Sequence, residues 1–189
     1  MRIIGGKFKG KKIFIPSSKN TRPLKDLVKE SIFNLLMHSN KISCSLHNSK
    51  ILDLFSGIGS FGLECISRYS SKVIFFENYL ETLKILRQNL NLIGDSNAVY
   101  QVIEEDCFKF FEKNKKYFLN EEFDIIFIDP PFKEKRTNYL INSILEKKLL
   151  KKSGVIILHK HKKDNTTLNS NLKIVEERNY GISKIILGN

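Results

Sequence analysis

Apolar residues in the second part of the chain come in short runs, at 51–55 (ILDLF), 73–76 (VIFF), 99–103 (VYQVI), 125–128 (IIFI) and 155–158 (VIIL). Between them, 60–69, 79–93, 107–118 and 137–148 read as helices. Consecutive apolar residues suit strands buried on both faces. Their alternation with helices predicts a doubly wound α/β unit with a parallel sheet. The tail breaks that rhythm. Runs at 172–176 and 182–187 are joined by Arg178-Asn179-Tyr180-Gly181, which leaves no room for a helix, so they predict an antiparallel hairpin at a sheet edge. The expected total is a mostly parallel, seven-stranded sheet.

Upstream, Ile3–Ile4 and Ile13–Phe14–Ile15 flank a Gly- and Lys-rich turn and predict a short β-hairpin. After Thr21-Arg22-Pro23, residues Leu24, Leu27, Val28, Ile32, Leu35 and Leu36 recur at helical spacing. Residues 39–49 are polar and aperiodic, which marks a connection. Two parts are expected: an extension over 1–40, and the α/β domain over 50–189.

Ligands of open α/β sheets sit beyond the carboxyl ends of the strands, and two motifs lie there. The strand ending at Phe55 runs into Ser56-Gly57-Ile58-Gly59-Ser60-Phe61-Gly62, a G-x-G-x-x-G loop between a strand and a helix. Glycines there let the backbone turn sharply and approach a ligand closely. Glu77 ends the next strand, 20 residues beyond Gly57, where a carboxylate meets ribose hydroxyls. The loop alone fits either a nicotinamide dinucleotide or S-adenosylmethionine. Asp53, inside the strand before the glycines, suits a cationic or amine-bearing ligand and repels a pyrophosphate; its bland role is to cap the following turn. Glu104-Glu105-Asp106 adds negative charge at the same edge, with Asp106 a candidate acceptor for the adenine amine and Glu104 and Glu105 equally explained as surface. This acidic rim favours S-adenosylmethionine.

The second motif is Asp129-Pro130-Pro131-Phe132, directly after the fourth strand. Two prolines end the ladder in a rigid turn. Asp129 and the Pro130 carbonyl can accept both hydrogens of an exocyclic amine, and Phe132 offers a face on which a base can stack. The set suits methylation of a nucleobase amine, where much of the catalysis is positioning. The plain alternative is a turn that merely ends a buried strand.

Composition adds one further clue. The chain has 189 residues and a net charge of +12, but its codon-like skew, with a single Ala (Ala98) and no Trp, would scatter lysines over any tolerant surface. Placement is more telling: residues 1–25 carry eight positive charges (Arg2, Lys7, Lys9, Lys11, Lys12, Lys19, Arg22 and Lys25) and no acid. Such an arm predicts a polyanion partner, with nucleic acid favoured over a merely solvated face. Cys44, Cys65 and Cys107 have no paired spacing, and the four histidines form no ligand motif, so neither a disulfide framework nor a metal site is expected. A reducing cytosol is. No apolar stretch reaches bilayer length, no secretory h-region is present, and nothing asks for more than a monomer.

Taken together, Arg2-Ile3-Ile4-Gly5-Gly6, Arg22-Pro23, Asp26, Val28, Glu30, Phe33-Asn34, LDLFSGIGSFGLE, DPPF and Arg178-x-Tyr180-Gly181 resemble the RsmD family of small-subunit ribosomal RNA guanine-N2 methyltransferases. The resemblance spans nearly the whole chain. It implies a Rossmann-like class I methyltransferase fold and S-adenosylmethionine held by Asp53, Phe55, Gly57, Gly59, Glu77 and Asp106. The guanine would meet Asp129 to Phe132. The RNA, free or in the assembled small subunit, would meet Arg2, Lys7, Lys9, Lys11, Lys12 and Arg22. Lys29 stands where many relatives have Arg, which weakens any bidentate contact. His159 stands where an acid is common and receives no catalytic role. Lys160, His161, Lys162 and Lys163 fit either an RNA contact or a solvated loop. A DNA adenine methyltransferase shares the central motifs, but no segment of useful size remains to read a duplex. A nicotinamide-dependent oxidoreductase leaves DPPF and the arm unused, and a non-catalytic RNA-binding module conflicts with intact motifs.

Overall fold

All seven expected strands form in the computed structural model, which describes residues 1–17, 24–94, 99–114 and 116–189. They are β1 (Lys50–Leu54), β2 (Lys72–Phe76), β3 (Tyr100–Ile103), β4 (Phe123–Ile128), β5 (Leu150–His161), β6 (Ile174–Tyr180) and β7 (Ser183–Gly188). The helices are α1 (Asp26–His38), α2 (Ser60–Ser67), α3 (Leu80–Leu92), α4 (Cys107–Lys113) and α5 (Thr137–Glu146). The strand order is β3-β2-β1-β4-β5-β7-β6. The pairs among β1 to β5 are parallel, and β7 is antiparallel to both β5 and β6.

Side chains alternate across each strand, and both faces are covered. Ile51, Ile125, Phe127 and Ile157 face α1, α2 and α3, with Phe33, Phe61 and Leu86 packed against them. Leu52, Ile126, Ile128 and Leu158 face α4 and α5, with Phe108, Leu140 and Ile144. This double burial explains the uninterrupted apolar runs. β5 is longer than its apolar run because β7 pairs along it as far as His161↔Ser183, drawing polar residues into the ladder. The tail reverses at Gly181–Ile182, one step later than expected. Tyr180 still pairs with Ser183, and Gly181 takes a left-handed φ of 60° that favours glycine.

The N-terminal hairpin forms around one antiparallel bridge, Arg2↔Lys12, with Ile3 N–H donating to the Lys11 carbonyl, Gly10 N–H to the Ile3 carbonyl and Ile13 N–H to the Met1 carbonyl, and its turn docks on α2. Ile4 N–H donates to Glu64 Oε2 at 2.8 Å, Lys7 N–H to the Ser67 carbonyl at 2.7 Å, and Phe8 N–H to Ser67 Oγ at 2.9 Å. A Cβ on Gly6 would lie 1.9 Å from the Ser67 carbonyl oxygen, so only glycine fits that approach. Ile3 and Ile13 join Val28, Phe33 and Phe61 in one core, so the extension shares the interior of the main domain.

Lys29 is fully buried at this junction. Its Nζ donates to the Arg2 carbonyl at 2.6 Å and lies 3.9 Å from Glu64, which also accepts Arg68 Nε–H at 2.9 Å. The position expected to touch phosphate or carboxylate therefore touches a carboxylate, within the protein. Burial pushes the Lys29 pKa down, while Glu64 and Asp26 hold it up. Removing one partner of such a pair strands the other in a dry interior. Glu64→Ala should lower stability by about 3–5 kcal/mol in urea unfolding. A loss below ~1 kcal/mol would show that the lysine finds water.

Candidate active site

The site sits where β1 and β4 lie side by side. Leu54 pairs with Ile128, and one residue further on, Asp129 N–H donates to the Leu54 carbonyl at 3.3 Å. From there the connections part, β1 leading to α2 on one face and β4 to α5 on the other. A sheet opens into a crevice where its connections diverge in this way. The crevice here is a cavity of about 670 Å³ lined by Phe55, Ser56 and Gly57 on one side, Glu77 and Tyr79 at one end, and Asp129 to Lys133 opposite. That volume falls within the roughly 300–1,000 Å³ of small-ligand pockets.

The glycine loop is held open by local geometry. Phe55, Gly57 and Gly59 all have left-handed backbones, with φ of 60°, 56° and 83°. Gly62 serves packing, since a Cβ there would fall 2.2 Å from the Phe75 ring. Gly57 N–H donates to Glu77 Oε2 at 2.8 Å, while Glu77 Oε1 accepts the N–H groups of Asn78 and Tyr79 at 2.9 and 2.8 Å. The 20-residue spacing thus places the end of β2 against the loop that follows β1. Asp106 caps α4 by accepting Lys109 N–H at 3.1 Å, and lines a small side recess with Phe55 and Glu77. Glu104 pairs with Arg87.

Asp53 is fully buried beneath the loop and outside the cavity lining. Its Oδ2 accepts Gly62 N–H at 3.1 Å, whereas its Oδ1 has no hydrogen-bond partner among the described residues. Burial raises its pKa well above the ordinary carboxylate range, against the Gly62 N–H, and the charges of Asp129 and Glu77 raise it further. A carboxylate in this state is relieved by positive charge nearby, so the residues fit a cationic ligand better than an anionic one.

On the opposite wall, Pro130 is buried and Asp129 keeps 14% of its side chain exposed. Phe132 stands edge-to-face with His161, their rings 4.9 Å apart at 85°. Asp129 Oδ1 lies 2.8 Å from His159 Nδ1, and His159 Nε2 lies 2.8 Å from Ser183 Oγ. Spacing alone did not assign this link. Strand parity would have found the histidine, because Ile128 pairs with Leu158 and the next step puts Asp129 beside His159. No signal in the sequence marks Ser183.

The family profile described as Conserved hypothetical protein 95 matches residues 1–189. Ribosomal RNA small subunit methyltransferase D of Haemophilus influenzae is 31% identical over 96% of this chain and 90% of its own. The chain belongs to this family. The solved Escherichia coli protein yhhF superposes with a TM-score of 0.82 at 25% identity, covering 100% of this chain and 96% of that one. An RNA methyltransferase from Salinibacter ruber, solved with S-adenosyl-L-homocysteine, shares the fold at a TM-score of 0.61 and 13% identity, over 88% of this chain and 92% of that one. The architecture is that of the class I methyltransferases.

None of the predicted RNA contacts is among the described residues that line the cleft. Arg2, Lys7, Lys9, Lys11 and Lys12 are exposed; the Arg2 carbonyl accepts from Lys29 Nζ, which also lies 3.5 Å from Ser60 of the lining, whereas the arm's tip packs on Ser67 and Arg68, at the far end of the eight-residue α2. That tip is about 12 Å from the glycine loop at a rise of 1.5 Å per residue. Lys7 and Lys11 lie over the Phe8 ring, at 5.3 and 5.4 Å. Arg22 falls outside the described residues. Lys160 is buried and ion-paired with Asp164 at 3.4 Å, which leaves Lys162 and Lys163 exposed beyond β5. Of the basic residues, Lys133 lines the cleft itself.

Asp53 generates a pH prediction. Its folded pKa exceeds the unfolded value near 4, so the folded state binds the extra proton. Stability contributed by Asp53 is therefore lost as pH rises through that interval. Asp53→Asn keeps an acceptor for Gly62 N–H and removes the buried charge. Urea unfolding should show the variant gaining on the wild type from pH 4 upward; a pH-independent difference would contradict the buried charge.

Proposed function

We propose that this protein transfers a methyl group from S-adenosylmethionine to the exocyclic N2 amine of a guanine in small-subunit ribosomal RNA. The observation that carries the reading is the single cavity shared by the glycine loop and Asp129-Pro130-Pro131-Phe132. Family membership supports a small-subunit ribosomal RNA substrate, and the resemblance to guanine-N2 methyltransferases in the sequence motifs suggests the base. Glu77 and Asp129 in the lining, with Asp53 buried beneath the loop, support S-adenosylmethionine over a nicotinamide dinucleotide, whose pyrophosphate they would repel.

When bound, S-adenosylmethionine supplies an electrophilic methyl carbon on a cationic sulfur. The residues that would hold it are Phe55, Gly57 and Gly59 of the loop, Glu77 at the end of β2, and Asp106 in the side recess, with Asp53 as a buried countercharge. Phe132 stacks on the guanine. Asp129 and the Pro130 carbonyl accept the two amine hydrogens, which turns the nitrogen lone pair away from the ring. Positive charge builds on that nitrogen as its bond to carbon forms, and Asp129 is placed to accept the departing proton. The guanine must leave any stack to reach Phe132, at a cost of a few kcal/mol, so an RNA loop is the favoured context.

The exposed arm lysines lie on the flank of the domain and would hold phosphates of RNA running past the target base. We place the enzyme in the cytoplasm as a monomer acting on the RNA, free or within the assembled small subunit. Labelled S-adenosylmethionine, incubated with each substrate and followed by nucleotide mapping, tests the reading. The expected result is label on N2 of one guanine. Label on adenine, or none on either RNA, would overturn it. A second outcome concerns the arm. If it neutralises four or more phosphates, log affinity falls with log salt at a slope of roughly −3 or steeper. Replacing Lys7, Lys9, Lys11 and Lys12 together with Ala should weaken binding and flatten that slope. An unchanged slope would place the RNA elsewhere.

A further inference from the structure

We propose that His159 is a positioning residue: backed by Ser183, it fixes the Asp129 carboxylate for the acceptor amine. This deepens the methyl-transfer reading and rests on it. His159 is 2% exposed in all, yet both of its ring nitrogens are engaged. A carboxylate oxygen only accepts, so the 2.8 Å contact to Asp129 Oδ1 sets a proton on Nδ1. Ser183 Oγ, 2.8 Å from Nε2, fixes the ring from behind. The three side chains come from the first residue after β4 and from the adjacent strands β5 and β7, and share one parity across the sheet. His159 pairs with Ile185, two residues from Ser183 and of the same parity.

That arrangement matters because Asp129 lies just beyond the ordered ladder, on a turn. The two prolines fix the backbone after it, and the imidazole, through its 2.8 Å contact with Oδ1, restrains rotation of the Asp129 carboxyl group. Phe132 also meets this imidazole, 5.7 Å away and nearly perpendicular at 78°, beside its closer contact with His161. One histidine therefore touches both the acceptor that reads the amine and the aromatic face that stacks the base. Orienting partners of this kind commonly change activity by roughly 10–100-fold when removed.

The test compares the wild type with His159→Leu, His159→Asn and Ser183→Ala, using assembled small subunits or free RNA and saturating S-adenosylmethionine. Asn carries an N–H close to the position of Nδ1, whereas Leu carries none. His159→Leu should lower kcat about tenfold or more, with KM for RNA within about threefold. His159→Asn should restore most of the loss, and Ser183→Ala should cause a smaller fall. An unchanged kcat in His159→Leu overturns the proposal. A fall that tracks the unfolded fraction in thermal melts, with no recovery in His159→Asn, also overturns it and leaves a purely structural histidine. A wild type that methylates neither RNA would overturn the underlying functional reading and this inference with it. That outcome is distinguishable because it appears before any substitution.

Discussion

One hydrogen bond fixes where the chemistry can happen: Asp129 N–H on the Leu54 carbonyl, just beyond the last paired residues of β1 and β4. It brings the start of the glycine loop and the start of the proline turn together, although more than 70 residues separate them. Because the two connections then leave for opposite faces, the space between them stays open. The loop after β1 gives left-handed backbone and close approach; the turn after β4 gives rigid acceptors and an aromatic face. Each motif is ordinary alone. Adjacency across a parallel pair makes them one site.

The second constraint is the distribution of charge. The acids at the cleft are Glu77 and Asp129 in its lining and Asp53 buried beneath the loop; Glu77 is held by backbone N–H groups at Gly57, Asn78 and Tyr79, and Asp53 by that of Gly62. Outside, the arm presents cations on the exposed surface. In the proposed function, anionic RNA and a cationic methyl donor would thus meet fields of opposite sign on one small domain. Lys29 belongs to neither set. It is spent on Glu64 and the Arg2 carbonyl, where it joins the arm and α1 to α2. A basic residue near the chain start can therefore serve the fold, and counting charges alone misses the difference.

The strands were legible because burial on both faces leaves an unbroken apolar run, as in Ile125 to Ile128. Where burial is one-sided or partial, the sequence was less informative. Lys151 to Ser153 and Lys160 are strand residues with no apolar signature, and Lys160 is recruited by pairing with Lys184. The arm was legible as a hairpin because its apolar residues flank a glycine turn. The docking of Ile4 and Phe8 N–H on Glu64 and Ser67 of α2 follows no local pattern. The glycine loop, Glu77 and the DPPF turn were legible as residues, and the structure brings them to one cavity. Asp53 was legible as a carboxylate near the loop, but not as a buried one with an unpartnered oxygen. His159 escaped because its importance lies in register with β4, a relation that needs the sheet.

The central claim is that the two walls of the cleft divide the work, the glycine loop holding the methyl donor and Asp129 addressing the acceptor. The most direct measurement is calorimetric binding of S-adenosylmethionine to the wild type and Asp129→Ala, paired with single-turnover methyl transfer to small-subunit RNA. Affinity for the donor should stay within about threefold of the wild type, and transfer should fall by roughly 100-fold or more, the scale of losing one preorganised electrostatic contact. Loss of donor binding in the variant, or transfer that survives the substitution, would contradict it.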